Sequence, residues 1–337
     1  MRALLVGAGG MGRGWAKNLA GSPDATLAGW IDVRENAASS AASELGVPVD
    51  YTGTDLDTAL GAVQPDFVVD VTPPEVHHDV TLAALRHGVP VLGEKPMAGT
   101  MDQARAMVRA AEESDKLYMV SQSRRYNSHA RGYRELIQKV GRLGILNADF
   151  YIGAHFGGFR DDMPSPLILD MAIHTFDMAR YLTGKDPVSV YAKEFNPQWS
   201  WYAGNACSQC LFEMEDGLQY NYRGSWCAEG CHTSWEGDWR AVGENGTARW
   251  DGHDKLFGEV VAKTGGFHSD CEQIAGAPVP IKGGIEGSLE EFLHALKTGV
   301  TPQGECHDNI KSFAMVMAAY ESAKRGETVS IAEMLTG

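Results

Sequence analysis

The fold is decided by the stretch RALLVGAGGMGRGWAKNLA at residues 2–20. Arg2–Val6 is a short, mostly apolar run with the length and composition of a buried strand. Glycines follow it directly and lead into a helical segment over residues 11–20. This order predicts the first strand, turn and helix of a parallel sheet.

The same alternation continues outward through the first third of the chain. Further strands are predicted at residues 26–31, 67–71, 89–92 and 117–120, and further helices at 36–45, 80–87 and 101–114. Strands that alternate with helices are typical of a doubly wound α/β fold. We therefore predict an N-terminal doubly wound domain over residues 1–121.

The glycines after the first strand form the pattern G-x-G-x-x-G. Gly7 allows a tight turn, Gly9 lets the backbone approach a pyrophosphate, and Gly12 allows close packing of helix on strand. Asp32 follows the second strand, 20 positions after Gly12, where a carboxylate binds the ribose hydroxyls of NAD. The pattern predicts a site for NAD, although Arg34 leaves NADP open. The alternative is a structural turn that binds no nucleotide.

The composition bounds the class of protein. The chain has 337 residues, of which 44% are hydrophobic and 22% charged, as in a folded globular protein of about two domains. Its net charge of −15 argues against nucleic acid or an anionic membrane as the main partner. No stretch reaches the ~18 apolar residues of a membrane span, and no signal-peptide pattern is visible. We therefore expect a cytoplasmic protein.

The rest of the chain has a different pattern. Strand-like runs follow one another at residues 148–152, 188–195, 206–214 and 217–225, and helical segments return at 289–297 and 309–324. Asp216-Gly217 between two of these strands is a strong hairpin signal. Successive strands of this kind predict an antiparallel sheet in a second, α+β domain over residues 122–337.

Two further motifs carry candidate catalytic groups. Lys95, in Glu94-Lys95-Pro96, follows a strand and so lies at the carboxyl edge of the sheet, where open α/β folds bind ligands. A solvated loop lysine is the alternative.

Asp170, His174 and Asp177 have the i, i+4, i+7 spacing of one helix face. An imidazole beside a carboxylate suits general acid–base work; a core histidine and a metal site are the alternatives, but no third metal ligand is evident.

The cysteines and aromatic residues of the second domain favour packing over chemistry. The spacings of Cys207-x2-Cys210 and Cys227-x3-Cys231-His232 resemble zinc sites, but both pairs fall in strand-like segments, where free thiols pack as small hydrophobic groups. The dense aromatic residues are expected in the core and at subunit contacts, with one or two stacking on a sugar ring; they are Trp199, Trp201, Tyr202, Trp226, Trp235 and Trp239.

In their order and spacing, the motifs resemble those of the Gfo/Idh/MocA family of NAD(P)-dependent oxidoreductases, across nearly the whole chain. The matching segments are the Gly7/Gly9/Gly12 loop, Thr72-Pro73-Pro74-Glu75-Val76-His77, Glu94-Lys95-Pro96, Asp170-x3-His174 and Glu321-Ser322-Ala323-x2-Gly326. The resemblance implies an N-terminal Rossmann domain and a C-terminal α+β domain. The second domain would have a large, open, mostly antiparallel sheet that makes the contacts of a homodimer or homotetramer. The implied activity is oxidation of a ring alcohol on a sugar or cyclitol.

The resemblance also implies roles for individual residues. Lys95 matches the catalytic lysine, Asp170 the substrate-binding acid and His174 the proton-transferring histidine. The cofactor is expected to contact Gly7, Gly9, Gly10, Met11, Gly12, Asp32, Arg34, Thr72, Pro73, His77, Glu94 and Lys95. Polar groups on segments that lead into the site are the candidates for binding substrate hydroxyls; they are Arg125, Tyr126, Asn127, His155 and Arg160, with Asp170 and His174.

The chain departs from the family pattern at two places. Pro164-Ser165-Pro166 stands where many members carry a glycine triplet, and Ala172 stands where the helix usually has glycine.

Two rival functions stay open. A glycosidase that uses bound NAD for transient oxidation and elimination would keep the same residues, and net NADH formation distinguishes it from a dehydrogenase. A noncatalytic NAD-sensing regulator would not need the trio Lys95, Asp170 and His174.

Overall fold

The computed structural model describes residues 1–337. The chain divides into two compact units, the first containing residues 1–123 and 282–310 and the second containing residues 124–281 and 311–337. Residues 282–310 therefore belong to the first unit, whereas the sequence alone places them in the second domain. The physical reason is apolar packing within the first unit, where the rings of Phe67 and Phe292 lie 5.5 Å apart and are both buried.

Both units contain a sheet covered by helices. The strands are β1 (Arg2–Val6), β2 (Thr26–Ile31), β3 (Tyr51–Gly53), β4 (Phe67–Asp70), β5 (Val91–Glu94), β6 (Tyr118–Ser121), β7 (Leu143–Tyr151), β8 (Pro187–Phe195), β9 (Cys207–Met214), β10 (Gln219–Ser225), β11 (Asp238–Gly243), β12 (Gly246–Trp250), β13 (Leu256–Lys263), β14 (Asp270–Ala275) and β15 (Val329–Ser330). The helices are α1 (Gly10–Gly21), α2 (Ala37–Leu45), α3 (Leu56–Val63), α4 (Pro74–Arg86), α5 (Met101–Ser114), α6 (Ser128–Ile137), α7 (Ala172–Thr183), α8 (Gly284–Thr298), α9 (Cys306–Arg325) and α10 (Ile331–Thr336).

The sheet of the first unit is parallel throughout. Its strand order is β3-β2-β1-β4-β5-β6, the order of a doubly wound Rossmann fold. The central strands β1 and β4 are buried on both faces, which explains their continuous apolar sequences. The predicted Rossmann domain is confirmed, and β1, β2 and α5 have the predicted bounds.

Two elements of the first unit, β3 and α3, are not predicted by the sequence analysis. The edge strand β3 has only three residues and includes a glycine, so it carries no periodic signal. Helix α3 does have a local signal, because the side chain of Asp55 caps it by accepting a hydrogen bond from the Thr58 backbone N–H at 2.8 Å. Helix α4 begins at Pro74 instead of residue 80, since proline fits the first turn of a helix.

The sheet of the second unit has nine strands in the order β14-β13-β12-β11-β7-β10-β9-β8-β15. Neighbouring strands are antiparallel except β7 and β10, which are parallel, so the predicted mostly antiparallel sheet is confirmed. Asp216 and Gly217 form the predicted hairpin turn between β9 and β10, both with positive φ. Strands β11 to β14 are not predicted, because glycines and charged residues interrupt their apolar alternation.

Helix α7 lies against the buried face of this second sheet. The ring of Phe176 is 4.8 Å from that of Phe212 and 5.2 Å from that of Tyr222, in edge-on contacts. Nearly every residue of α7 from Ala172 to Leu182 is buried. This packing fixes the helix that carries His174. In neither unit is any helix both long and apolar enough to cross a membrane.

Candidate active site

The glycine turn between β1 and α1 has the geometry of a phosphate cradle. Gly7 has a φ of +107° and lies against the Val71 backbone, and a Cβ on Gly12 would stand 2.1 Å from the Gly7 carbonyl oxygen. Only glycine fits these positions. A Cβ on Gly9 or Gly10 would instead meet nothing within 4 Å, and no side chain caps α1. The start of α1 is therefore uncapped by any side chain and has open space beside Gly9 and Gly10, which fits a dinucleotide pyrophosphate.

Asp32 ties the end of β2 to this turn. Its side chain is 8% exposed, and Oδ2 accepts a hydrogen bond from the Ala8 backbone N–H at 2.7 Å. The Arg34 guanidinium donates to both carboxylate oxygens, at 2.9 and 3.0 Å, and this hydrogen bonding lowers the pKa of Asp32 to about 2. Asp32 is thus an anion at neutral pH, and a carboxylate is a suitable hydrogen-bond acceptor for a ribose diol. The Arg34 side chain is 65% exposed.

The carboxyl ends of β4 and β5 carry a second group of the expected cofactor residues. The Thr72 hydroxyl donates to the buried Asp70 at 2.6 Å, and the Trp15 indole N–H donates to the buried Glu94 at 2.7 Å. Burial raises the pKa of Glu94. Lys95 is half-buried and follows Glu94 at the sheet edge, as predicted, and precedes a cis peptide bond to Pro96. His77 differs from expectation, because both its ring nitrogens face backbone carbonyls inside the unit.

Asp170 and His174 lie on successive turns in the second unit. Asp170 belongs to a π-helical turn, Leu167–Met171, that leads into α7, and His174 is in the first turn of α7. The Arg160 Nε donates to Asp170 Oδ2 at 2.6 Å. Asp177 does not complete a catalytic face: it is buried, and its carboxylate accepts hydrogen bonds from the Arg125 Nε and Nη2 at 2.7 and 2.6 Å.

Two of the expected substrate residues, Arg125 and Asn127, make structural contacts. The guanidinium of Arg125 is buried against Asp177, and breaking such a buried pair costs about 3–5 kcal/mol. Tyr126 is buried beside it in the chain. Asn127 caps α6, since its Oδ1 accepts hydrogen bonds from the backbone N–H groups of His129 and Ala130. Sequence position alone suggested these residues as substrate contacts, and that assignment stays a prediction.

His155 and Arg160 remain candidates for contact with substrate. The His155 ring is exposed and stacks on Trp201 with 3.7 Å between ring centroids, and its Nε2 lies 2.7 Å from Glu229 Oε1. The Arg160 guanidinium lies 5.1 and 4.7 Å from the rings of the exposed residues Phe156 and Phe159. Sequence reasoning missed these two phenylalanines and Glu229, because no local motif marks them.

The cysteines and tryptophans separate into core and surface groups. Cys207, Cys210 and Cys227 are buried free thiols, but Cys231 is exposed outside the strands, which corrects the expectation that both pairs lie in the sheet. Trp226 and Trp239 are fully buried, as expected of core residues. Trp199 and Trp235 are exposed.

A doubly wound sheet with a dinucleotide turn, joined to a second α+β unit that carries an acid and a histidine on one helix, defines the class of NAD-binding two-domain oxidoreductases. Residues 1–122 match the oxidoreductase family with an NAD-binding Rossmann fold, Gfo/Idh/MocA, and residues 133–249 match the Gfo/Idh/MocA C-terminal domain. The chain belongs to the Gfo/Idh/MocA family and is an oxidoreductase with an NAD-binding domain.

Individual relatives show how far the similarity extends. The chain is 28% identical to an uncharacterised protein, y4oX, of Sinorhizobium fredii, over 99% of this chain and 96% of that protein. It is 33% identical to an inositol 2-dehydrogenase of Rhizobium meliloti over 57% of this chain and 58% of that enzyme. It is 28% identical to a D-apiose dehydrogenase of Rhizobium rhizogenes over 80% of each chain.

Solved structures share the fold. An oxidoreductase from Agrobacterium radiobacter, in complex with NAD+, L-tartaric acid and magnesium, superposes with a TM-score of 0.86 at 23% identity and covers 99% of both chains. A myo-inositol dehydrogenase-like structure from Sinorhizobium meliloti superposes with a TM-score of 0.79 at 23% identity over 98% of this chain and 99% of that one. At this identity the similarity establishes the architecture.

Proposed function

We propose that the protein is an NAD(P)-dependent dehydrogenase that oxidises a ring secondary hydroxyl of a sugar, sugar derivative or cyclitol. The observation that carries the proposal is the pair Asp170 and His174, two titratable groups at the start of a helix that is otherwise packed into the core. Asp177 on the same helix is buried in an ion pair with Arg125, whereas Asp170 and His174 are only half-buried, so a chemical role accounts for them best.

The proposal assigns one task to each of three side chains. His174 accepts the proton of the substrate hydroxyl, Lys95 stabilises the negative charge that develops on the same oxygen, and Asp170 binds a neighbouring hydroxyl. NAD, when bound, supplies the acceptor for the hydride that leaves the carbon. Proton transfer to a positioned base contributes about 10²–10⁴ in rate. His155 and Arg160 are proposed to bind further hydroxyls, and Arg160 also orients Asp170 through their 2.6 Å hydrogen bond.

The substrate class is supported by polar chemistry and by the names of relatives. The relatives include inositol 2-dehydrogenases, D-apiose dehydrogenases and a 1,5-anhydro-D-fructose reductase, all of which are named for polyhydroxylated compounds. On this chain, Arg160 and His155 offer donors beside exposed aromatic rings. Such a mixture suits a ring with hydroxyls at its edge and C–H groups on its face.

The experiment is a panel of cyclitols, aldoses and aldonic acids incubated with NAD or NADP while NADH or NADPH absorbance is recorded. We expect turnover with at least one polyol, and a fall of about a hundredfold or more in turnover for His174→Ala with cofactor affinity near that of the wild type. A reducing sugar released from a glycoside without net NADH would favour the glycosidase. Cofactor binding with no turnover on any compound would favour the regulator.

We also propose that the protein forms a homodimer or homotetramer through the second sheet. In the strand register, one row of outward-facing residues crosses the sheet; it runs Tyr191, Leu211, Asn221, Asn147, Arg240, Arg249 and Phe257. Tyr191, Leu211 and Phe257 are 42–54% exposed, although they are large and apolar. Large apolar residues exposed on a sheet face are typical of a surface that another subunit covers.

A cytoplasmic location is part of the same proposal. All six cysteines are free thiols, which is the state that a reducing compartment maintains. The acidic composition supports a small-molecule substrate over nucleic acid or a membrane surface.

A further inference from the structure

The ring of His77 forms a bridge between two loops of the first unit. Its Nε2 lies 2.7 Å from the Thr72 carbonyl oxygen, and its Nδ1 lies 2.9 Å from the Pro96 carbonyl oxygen. Thr72 follows β4, and Pro96 follows β5, so the two loops leave neighbouring parallel strands at their carboxyl ends. Ligands of doubly wound folds bind at this edge.

Both partners of the ring are hydrogen-bond acceptors. A carbonyl oxygen cannot donate, so a neutral imidazole, which has one N–H, would satisfy only one of them and turn a lone pair toward the other. His77 is 2% exposed, and water does not replace a missing bond there. A ring with an N–H on each nitrogen satisfies both carbonyls.

Two buried carboxyl groups interact with the charge of the His77 ring. Asp70 at the end of β4 is fully buried and Glu94 at the end of β5 is nearly so, and the charge of His77 acts on both carboxyl groups. Lys95 acts on Glu94 from the neighbouring position, and Tyr118 on β6 faces Asp70. Burial raises the pKa of both carboxyl groups and the charge of His77 lowers it, so an ionised carboxyl group and a cation at His77 favour each other.

We propose that His77 is a buried imidazolium that locks the Thr72 and Pro96 loops together and so acts as a positioning residue for Lys95 and for the nicotinamide end of the cofactor. The effect on catalysis rests on the proposed function, whereas the hydrogen-bonded bridge is independent of it. Lys95 lies between Glu94, the last residue of β5, and Pro96, whose carbonyl oxygen is bonded to His77. The bridge therefore restricts the position of the Lys95 backbone. Pre-positioning of this kind acts on geometry, and small displacements of a catalytic group lower the rate.

Two substitutions separate the two halves of the bridge. In His77→Gln the amide nitrogen takes the place of Nε2, so the bond to Thr72 is kept and the bond to Pro96 is lost. In His77→Asn the amide nitrogen takes the place of Nδ1, so the bond to Pro96 is kept and the bond to Thr72 is lost. His78→Gln and His78→Asn are the matched controls, because the next residue of α4 pairs only with Asp79 at the surface.

The kinetic result expected is a split between the two variants. His77→Gln should lower kcat about tenfold or more with little change in NAD affinity, since it releases the Lys95 loop. His77→Asn should weaken NAD binding about tenfold, since it releases the Thr72 loop. The His78 variants should match the wild type in both measurements. Native turnover and native NAD affinity in both His77 variants, or a loss confined to thermal melting, would overturn the positioning role.

A measurement on the wild-type protein without cofactor tests the bridge independently. Two-bond ¹⁵N–¹H spectra of ring-labelled histidine distinguish an imidazolium from either neutral tautomer. We expect His77 to show protons on both nitrogens near neutral pH and to lose the signal in His77→Gln. A single neutral tautomer would overturn the proposal even if both variants fail to fold. If the wild type binds NAD but oxidises no polyol, the proposed function fails while this spectrum and the NAD titrations still decide the bridge.

Discussion

We propose that Asp32 selects between the riboses of NAD and NADP at the cofactor site. It is an anion held in place by the Ala8 backbone and by Arg34, and it combines an acceptor for the 2′-hydroxyl of NAD with a negative charge that repels a 2′-phosphate. Asp32→Ala should therefore weaken NAD binding about tenfold or more and weaken NADP binding much less. Titration of both proteins with both cofactors measures the ratio. A wild-type preference for NADP would contradict the assignment and would point to Arg34.

Lys95 separates the proposed dehydrogenase from a sensor of NAD. Lys95→Met keeps the apolar stem and removes the ammonium, which should cost on the order of 3 kcal/mol of transition-state stabilisation, about a hundredfold in turnover. NAD affinity and the melting temperature should stay near those of the wild type. Lys116→Met is the control, because Lys116 is an exposed lysine of the same unit. Full activity in Lys95→Met would remove this side chain from the mechanism and favour the regulator.

At the scale of elements, a carboxyl group with a raised pKa joins β8 to the loop that leads into the π-helical turn. Glu194 Oε2 accepts a hydrogen bond from the buried Ser165 hydroxyl at 2.8 Å, and burial raises the pKa of Glu194 from 4.5 to about 7. Between these two values the folded protein holds a proton that the unfolded chain has released. The free energy of unfolding therefore decreases as the pH rises through this range.

The prediction is that Glu194→Gln removes this part of the pH dependence. Between pH 4.5 and about 7, the unfolding free energy of the wild type should decrease by on the order of 1–2 kcal/mol because of Glu194. This figure is reduced for solvent screening, because Glu194 is partly exposed. Glu194→Gln should not show this decrease. Urea unfolding at several pH values measures the slope. Glu213→Gln is the control on the neighbouring strand, where the carboxylate is exposed. Equal slopes for the wild type and Glu194→Gln would show that burial of this carboxyl group contributes nothing.

At the scale of the whole molecule, the outward face of the second sheet carries large apolar residues that are exposed. Leu211 lies in the middle of β9 and is 54% exposed, with Tyr191 beside it on β8. Leu211→Glu should therefore shift the protein from oligomer toward monomer in light scattering at micromolar concentration, because a charge buried without a partner is costly. Val300→Glu, an equally exposed position in the first unit, should leave the mass unchanged. An unchanged mass for Leu211→Glu would place the interface elsewhere.

Local sequence was enough to determine the nucleotide-binding half. Strand β1, the glycine turn and Asp32 are specified within about 30 neighbouring residues, by apolar runs, by φ values that only glycine adopts freely and by spacing along a single β-α-β unit. Lys95 was likewise placed at a sheet edge by the strand that precedes it. Such signals survive folding because they arise from contacts close together in sequence.

The tertiary structure alone decided the partners of buried polar groups. Arg125 and Asp177 are 52 residues apart, and each looked like a site residue until their carboxylate–guanidinium pair placed both in the core. His77 was expected from the sequence to contact the cofactor, and only the tertiary structure shows its ring between two carbonyls, one of them 19 residues away. The return of residues 282–310 to the first unit is of the same kind. A buried polar group must find a partner, and sequence distance does not reveal which partner folding brings near.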